Sequence, residues 1–503
     1  MRRKRWHIWA VSLLACALSQ AWGQDTTTPP AENPPADTPQ QPVPAYGQDN
    51  STQTSPMSEN PPLTGLDMPS LEPHGAPLSY LQPGATISES ADSNVTNSLG
   101  GGTSVTSVTR GLGNVVLKRL WSNYDLDLAY AGGAGYYSAQ GQGARLLQQA
   151  DVAQKITWKR GQFAVRDSFS YLPEGNFGSA YGSLNTEGIG SISSTPFGVL
   201  LGSSMLGSIG LTSRILNISL ADVTEYLSPK SSVTALGGYA FSHFFGNDAT
   251  TGAPFIGASQ FSAQGGYNRI LSSHTQVGVM YAYQGFNFTV SGEAFHTNVV
   301  ELMYGHRISG RMDLLLGVGP QFTRLNLTDV FGETIGDNRI GVAALARLRY
   351  KFPKSSVDLS YHRFITSGSG IFAGAQSDVG RLGVSRPLSR VWNAFADMGV
   401  AHNKRLQSLS AAQSTTCVPA GTSNPSNLPV CPGIDANSYT YGFIGGGLHR
   451  QFGHNFHGFL SYQFNEIAFD HSYCGGLPAC DRIGNRQVLT FGLDWIPRPI
   501  RID

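Results

Sequence analysis

The last predicted strand shows a pattern that runs through most of this chain. Between Gln487 and Trp495, the side chains of Leu489, Phe491, Leu493 and Trp495 take every second position, and small or polar residues take the positions between them. A period of two is that of a β-strand whose two faces meet different surroundings. Segments of about ten to fourteen residues with this pattern follow one another after about residue 85, which is typical of a transmembrane β-barrel.

Short and long connections alternate between these segments. Short connections such as 121–123 and 309–311 predict tight periplasmic turns, and long ones such as 173–212 predict outer loops. The segments counted from Leu112 are odd in number, so a further strand over 85–95 is needed to bring both termini to the periplasm. We therefore predict an all-β fold, an antiparallel transmembrane barrel of about eighteen strands within a range of about sixteen to twenty.

Composition favours a membrane barrel over a cytosolic enzyme. The 503 residues include 60 Gly, 25 Phe and 20 Tyr, only 13% are charged, and the mean hydropathy is −0.14. After the N-terminus no segment reaches the roughly 20 apolar residues that a transmembrane helix needs. The net charge of +1 and the lack of a Lys/Arg run beyond residue 5 argue against a nucleic-acid partner.

Two segments precede the predicted barrel, which covers residues 85–503. Residues 1–23 combine a basic start, an apolar stretch and small residues before Gln24, as a signal peptide does; a lipoprotein signal with Cys16 as the lipidated residue is the alternative. Residues 24–84 are rich in Pro, Thr, Gln and Asn and poor in apolar residues. Such a segment cannot bury a core, which predicts a disordered periplasmic leader. A role of the leader in binding a partner is left open.

The polar face of each strand is expected to line the lumen, because charge on the lipid face is costly. Eleven residues on these faces are therefore pore-lining candidates: Asp125, Asp127, Glu301, Asp313, Arg347, Arg349, Asp358, His362, Arg381, His457 and Asp494. They form either a lining of ion pairs that only satisfies the interior, or a selectivity field with arginines opposite carboxylates. Aromatic residues near strand ends predict girdles at the two membrane interfaces: Tyr130, Tyr171, Tyr350, Phe364, Tyr439 and Phe464.

The longest outer loop, 173–212, carries an apolar run that needs cover. Folding back into the lumen would bury this run and narrow the pore. The candidate constriction residues are Phe197, Leu200, Leu201, Met205 and Leu206. A hydrophobic cap on the outer surface, or contact with a partner, is the alternative.

Four cysteines remain after signal cleavage, all in the last two outer loops: Cys417, Cys431, Cys474 and Cys480. In an exported protein they predict two disulfides, most simply within each loop, with pairing across the loops left open. Without a Cys-x-x-Cys pair, no metal site is expected, and nothing indicates a cofactor.

Catalytic motifs are not found in the sequence. It has no Gly-x-Ser-x-Gly elbow, no His-Glu-x-x-His and no Gly-x-x-x-x-Gly-Lys, so an enzyme is not expected. A hydrolase site at the outer rim could be assembled from His402, Asp470, His471 and Ser472, although these residue types are common in surface loops.

The start of the barrel resembles a known class of proteins. Residues 88–95 (Ser-Glu-Ser-Ala-Asp-Ser-Asn-Val) and 106–112 (Thr-Ser-Val-Thr-Arg-Gly-Leu), with the leader before them, are similar to the start of bacterial outer-membrane β-barrels of the porin-like and exopolysaccharide-export-associated kind. The resemblance implies the outer membrane of a Gram-negative bacterium. Outer-membrane lipid and the barrel assembly machinery are then the expected partners.

The C-terminus departs from many such barrels, which end on an aromatic residue. This chain continues past Trp495 to Asp503, so the signal read by the assembly machinery is expected inside the last strand, at Phe491, Leu493 and Trp495.

The leading functional hypothesis is a passive channel or export pore for hydrophilic solutes or polysaccharide, because barrels of this size enclose an aqueous lumen. The alternatives are a plugged structural or surface-binding (adhesin-like) barrel and an outer-membrane hydrolase. A homo-oligomer is also left open, since Gly445, Gly446 and Gly447 suggest close approach between barrel walls.

Overall fold

The computed structural model describes residues 62–64, 79–95, 105–138, 143–173, 213–245, 255–289, 294–328, 334–368, 370–406, 436–474 and 481–502. The strands in these ranges are β1 Tyr80–Asp92, β2 Thr106–Leu120, β3 Tyr124–Tyr137, β4 Gly143–Trp158, β5 Gly161–Leu172, β6 Ser213–Ser228, β7 Ser231–Phe245, β8 Ala258–Ser272, β9 Thr275–Phe288, β10 Ala294–Ser309, β11 Met312–Thr328, β12 Thr334–Lys351, β13 Ser356–Thr366, β14 Ala375–Pro387, β15 Trp392–Arg405, β16 Ser438–Phe452, β17 Phe456–Phe469, β18 Ile483–Trp495 and β19 Ile500–Arg501. A 3₁₀ turn covers His471–Cys474. Within the described ranges, no helix has the length and apolar character needed to cross a bilayer.

The eighteen long strands close into one antiparallel barrel. Each strand pairs with the next along the chain, and β1 completes the ring by pairing with β18 over residues 85–92. Closure removes the two long edges that an open sheet would leave with unpaired backbone groups. The predicted antiparallel barrel of about eighteen strands is confirmed. Strand β1 begins at Tyr80, ahead of the predicted residue 85, because Tyr80 and Leu81 pair with the short strand β19.

Short and long connections lie at opposite rims of the barrel. The short-turn rim carries the tight connections, such as those after β2 and β4, together with the start of β1 and the end of β18. The long-loop rim carries the long connections, such as those after β5 and β15. An even number of up-and-down strands brings the two ends of the barrel to one rim, and this rim is the short-turn rim.

Alternation along each strand separates an outward from an inward face. On β18, Phe491 is 56% exposed, whereas Thr490 and Asp494 are buried. Facing residues of antiparallel neighbours point to the same side, so the strand pairings carry this assignment around the ring. Large apolar side chains face outward and polar ones inward, which is the pattern of a barrel with lipid outside and a polar interior.

Three residues ahead of the barrel are also described, and they lie inside it. Leu63 and Thr64 are buried against inward side chains of β7 to β12. For residues 62–64 the prediction of a disordered leader is therefore wrong, because the lumen supplies both apolar and hydrogen-bonding partners. Residues 1–61 and 65–78, which hold the predicted signal peptide and most of the leader, lie outside the described residues.

Candidate channel lumen

The pairing of the strands places all eleven pore-lining candidates on the inward face. Asp125 and Asp127 lie on β3, Glu301 on β10, Asp313 on β11, Arg347 and Arg349 on β12, Asp358 and His362 on β13, Arg381 on β14, His457 on β17 and Asp494 on β18. Alternation along the strands is enough for this assignment. Each candidate lies at every second position in line with buried polar residues of its own strand, or directly opposite them on the paired strand. That these side chains line a conducting path stays a prediction.

Two ion pairs run along the wall formed by β11, β12 and β13. The Arg349 guanidinium contacts Asp313 through two hydrogen bonds, Nη2 to Oδ2 at 2.5 Å and Nε to Oδ1 at 3.2 Å. Arg347 Nε donates to Asp358 Oδ2 at 2.8 Å. Because these four residues lie on adjacent strands, their charges cancel along one wall, and the selectivity field with opposed charges is not formed by them. Their arrangement is the one expected for a lining of ion pairs that satisfies the barrel interior.

Further inward polar contacts continue around the ring. Arg381 makes a two-pronged contact with Asp397 on β15, at 3.1 Å and 2.8 Å. Thr86 Oγ1 donates to Asp494 Oδ1 at 2.6 Å, where β1 meets β18. The sequence reasoning missed several inward charges that follow the same period of two, and this period was the signal that could have found them: Asp92, Arg110, Asp151, Lys155, Arg166, Asp222, Asp397 and Arg486.

The most buried ion pair closes the seam between the first and last long strands. Asp92 on β1 and Arg486 on β18 are 0% and 1% exposed, and their carboxylate and guanidinium are in direct contact. Arg110 Nη1, on the next strand, donates to Ser90 Oγ at 2.6 Å. Charges buried to this degree are stable only when paired, so the seam is held by a polar network as well as by backbone hydrogen bonds.

The connection between β13 and β14 folds across the lumen near the long-loop rim, and we call residues 370–374 the strap. Phe372 is fully buried. On one side the Ile256 backbone N–H, just before β8, donates to the Gly370 carbonyl at 2.8 Å. On the other side the Phe372 ring lies 5.3 Å from the ring of Tyr439 on β16. Strands β8 and β16 lie on nearly opposite walls of the ring, so the strap bridges the barrel.

Glycine makes the strap possible. Gly370 and Gly374 have φ of +80° and +90°, a left-handed conformation that favours glycine. A Cβ on Gly370 would lie 2.6 Å from the Phe244 ring, and one on Gly374 would lie 2.5 Å from the Phe295 ring. From the sequence, this segment is only one of the long connections between strands. Its Gly-x-Gly-Ile-Phe-Ala-Gly pattern places an apolar pair between glycines, but nothing in the pattern shows which strands the pair would contact.

The prediction of aromatic girdles is wrong for two of its members. Phe364 and Tyr439 are 3% and 1% exposed and point inward. Tyr439 packs on the strap, which gives its ring an apolar environment inside the barrel. Tyr130, in contrast, is exposed on the outward face, as a girdle residue should be.

Several predicted site residues lie outside the described residues. The constriction candidates Phe197, Leu200, Leu201, Met205 and Leu206 lie in 174–212, outside the described residues, as do Cys417, Cys431 and Cys480. Only the backbone of Cys474 is described, at the end of the 3₁₀ turn. The assembly-signal candidates Phe491, Leu493 and Trp495 are exposed on the outward face. The constriction, the disulfides and the assembly signal stay predictions.

The residues of the alternative hydrolase site are engaged in local structure. The Asp470 carboxylate accepts hydrogen bonds from the backbone N–H and the hydroxyl of Ser438, at 2.8 Å and 3.2 Å. His402 Nδ1 lies 3.0 Å from Thr440 Oγ1 on the outward face. In the part of the chain that the structure describes, no three His, Cys, Asp or Glu side chains group closely enough to hold a metal ion.

Comparison with known proteins assigns the chain to no family. No protein-family model matches the chain, and no curated protein matches it. Among solved structures, OccK2 (OpdF) of Pseudomonas aeruginosa is 8% identical over 83% of this chain and 98% of that one, with a TM-score of 0.39. The ferric citrate transporter FecA is 9% identical over 82% of this chain and 78% of that one, with a TM-score of 0.39. The FrpB iron transporter of Neisseria meningitidis is 9% identical over 82% and 66%, with a TM-score of 0.39. Values this low assign no family.

Proposed function

We propose that the protein is an outer-membrane channel that passes ions and small hydrophilic solutes through the barrel lumen. The main support for this proposal is that the closed barrel has two different faces. Charged and amide side chains point inward, and large apolar side chains point outward. A barrel of about eighteen strands is wide enough to enclose an aqueous path. The paired charges keep such a path polar without a strong net field.

The strap favours small solutes over a polymer. It bridges nearly opposite walls through Ile256 and Tyr439, so it divides the cross-section of the lumen near the long-loop rim. A polysaccharide would need one continuous wide passage. Ions and small molecules can pass on either side of a single crossing segment.

The outward face supports a location in the outer membrane. Apolar side chains such as Leu302, Val318 and Phe491 are more than half exposed on this face, and in a bilayer they would contact lipid. We place the short-turn rim in the periplasm and the long-loop rim outside the cell, by the usual topology of such barrels. Export by residues 1–23 and insertion by the barrel assembly machinery belong to the same proposal.

Single-channel recording in planar bilayers tests the proposed function. The refolded full chain should give steady current steps, and the conductance should rise with salt concentration when two concentrations are compared. Silence from protein that is shown to be folded, by a heat-dependent shift in gel mobility, would contradict a channel.

The strap also favours one second candidate, a plugged barrel that acts as a structural or surface-binding protein. Aromatic and aliphatic side chains of two buried clusters pack around the strap near the long-loop rim. For a plugged barrel we expect almost no current from the natural chain and a large current once the strap is displaced. For a channel we expect current in both, with a moderate increase.

A further inference from the structure

Two residues of the leader, Leu63 and Thr64, are bound against the lumen wall, well inside the short-turn rim. Leu63 is 5% exposed and Thr64 is 1% exposed, although both precede the first strand. Their contacts come from six consecutive strands, β7 to β12. We call the residues of β7 to β12 that surround Leu63 and Thr64 the leader site.

The polar half of the leader site surrounds Thr64. The Thr64 backbone N–H donates to Asn268 Oδ1 at 3.1 Å, and Asn268 Nδ2 donates to Thr64 Oγ1 at 2.5 Å. Gln264 Nε2 donates to the Thr64 carbonyl at 2.8 Å. Thr234 Oγ1 lies 2.6 Å from Thr64 Oγ1. The backbone donor, the backbone acceptor and the hydroxyl of one residue are thus all matched by inward side chains of β7 and β8.

The apolar half of the site holds Leu63. Its side chain packs with four inward-facing apolar residues, Met280, Met303, Leu315 and Leu345. Most inward positions near this rim are polar, so a patch of this kind would otherwise face water. Leu63 covers it.

Glycines on the wall leave room for the side chains of Leu63 and Thr64. On β8 a Cβ at Gly266 would lie 2.5 Å from the Thr64 side chain, and on β10 a Cβ at Gly305 would lie 2.7 Å from Leu63. Any larger residue at either position would meet the leader. The polar groups, the apolar patch and the glycines all fit one occupant, a short turn in which a leucine precedes a small hydroxyl residue.

We infer that the lumen contains a dedicated peptide-binding site whose ligand is Leu63–Thr64 of the same chain, and that the docked leader narrows the channel from the short-turn side. The contacts alone support binding of Leu63–Thr64 to the lumen wall. The second part of the inference, that the bound leader narrows the channel, rests on the proposed channel function. A cavity beside the docked Leu63 is lined by Asp313, Arg347 and Arg349, so the leader lies next to the charged wall that ions would pass.

Methyl NMR of methionine tests docking without any need for current. The chain has 8 Met, and two of them, Met280 and Met303, lie in one buried apolar cluster with Leu63. In the refolded full chain with ¹³C-methyl methionine, Leu63→Ala should shift the signals of Met280 and Met303. Met398, which faces outward on β15, is the internal control and should not move. Unchanged Met280 and Met303 signals would overturn the docking.

Two adjacent glycines provide a matched pair of variants for conductance. Gly266→Val fills the leader site, whereas Gly265→Val places the same side chain on the outward face of the same strand, where the nearest atom is 4.0 Å away. We expect at least a doubling of single-channel conductance for Gly266→Val and none for Gly265→Val. Adding Leu63→Gly to Gly266→Val should give no further increase, because both changes expel one segment.

The two measurements separate failure of this inference from failure of the proposed function. Methionine shifts with an unchanged conductance in Gly266→Val would overturn the narrowing. If the natural chain and all variants are silent while the methionine signals shift, docking is supported and the channel proposal is contradicted.

Discussion

At the scale of single residues, several charges of the lumen wall lie in ion pairs. Asp313 and Arg349 meet through two hydrogen bonds and are about equally buried, so neither presents a free charge to the lumen. Two-pronged contacts of this kind also fix the guanidinium in orientation. Ion preference should therefore be weak in the natural chain and should appear when one partner is neutralised.

This leads to a prediction for ion selectivity. Asp313→Asn leaves the Arg349 charge uncompensated and should shift the reversal potential in a salt gradient toward anions, and Arg349→Gln should shift it toward cations. A unit charge about 4 Å from a passing ion contributes about 1 kcal/mol in water, which changes the permeability of each ion about fivefold, in opposite directions for anions and cations. The double variant should return to the natural value.

Glu89→Gln is the control for this prediction. Glu89 faces outward, where its carboxylate accepts hydrogen bonds from Ser107 and Thr109. Glu89→Gln removes one negative charge, as Asp313→Asn does, but it removes it from outside the lumen. A shift in reversal potential as large as that of Asp313→Asn would mean that net charge, and not the lumen wall, sets the preference.

At the scale of elements, the strap combines a backbone conformation that favours glycine with a tight contact. Gly370 needs a positive φ and also leaves no space between its Cα and the Phe244 ring. Its place in the lumen depends on glycine for both reasons. Strands, in contrast, tolerate many residues as long as the face is kept.

Replacing Gly370 should open the long-loop rim. In Gly370→Ala the new methyl group would meet the Phe244 ring at 2.6 Å, so we expect the strap to leave its position and the single-channel conductance to rise. Gly453→Ala is the matched control, because Gly453 has φ of +70° but nothing within 4 Å of its Cβ position. Equal currents from both variants and the natural chain would show that the strap does not limit conduction.

At the scale of the whole molecule, the ring has two different surroundings. The outward face carries the large apolar side chains and the inward face carries the charged pairs. The same substitution should therefore have different costs on the two faces. This difference tests the membrane location without reference to transport.

A lysine on each face makes this test. Val318 is 55% exposed near the middle of β11, and Val318→Lys should lower the free energy of unfolding in lipid vesicles by about 2–4 kcal/mol. Ala129→Lys is the control on the inward face of β3, opposite Asp151, and should cost less than about 1 kcal/mol. Urea titration gives both values. An equal cost at the two positions would argue against lipid at the outward face.

Most of the barrel could be predicted from the sequence, because its determinants are local. The period of two along β9 and β18 assigns the two faces of each strand, and turn residues at regular intervals set the number of strands. The inward position of residues such as Asp313 and Arg349 follows from the same parity. Their pairing does not, since it depends on the register between β11 and β12.

Only the tertiary structure decided what occupies the lumen. Thr64 bonds to Thr234 and Asn268, which are 170 and 204 positions away, and no local pattern indicates contacts over such separations. The strap reaches Ile256, just before the distant strand β8, in the same way. A proline-rich leader and a glycine-rich loop contain too few apolar residues to predict burial by themselves. Their side chains become buried because closure of the ring creates an interior that offers apolar and hydrogen-bonding partners to a few well-placed residues.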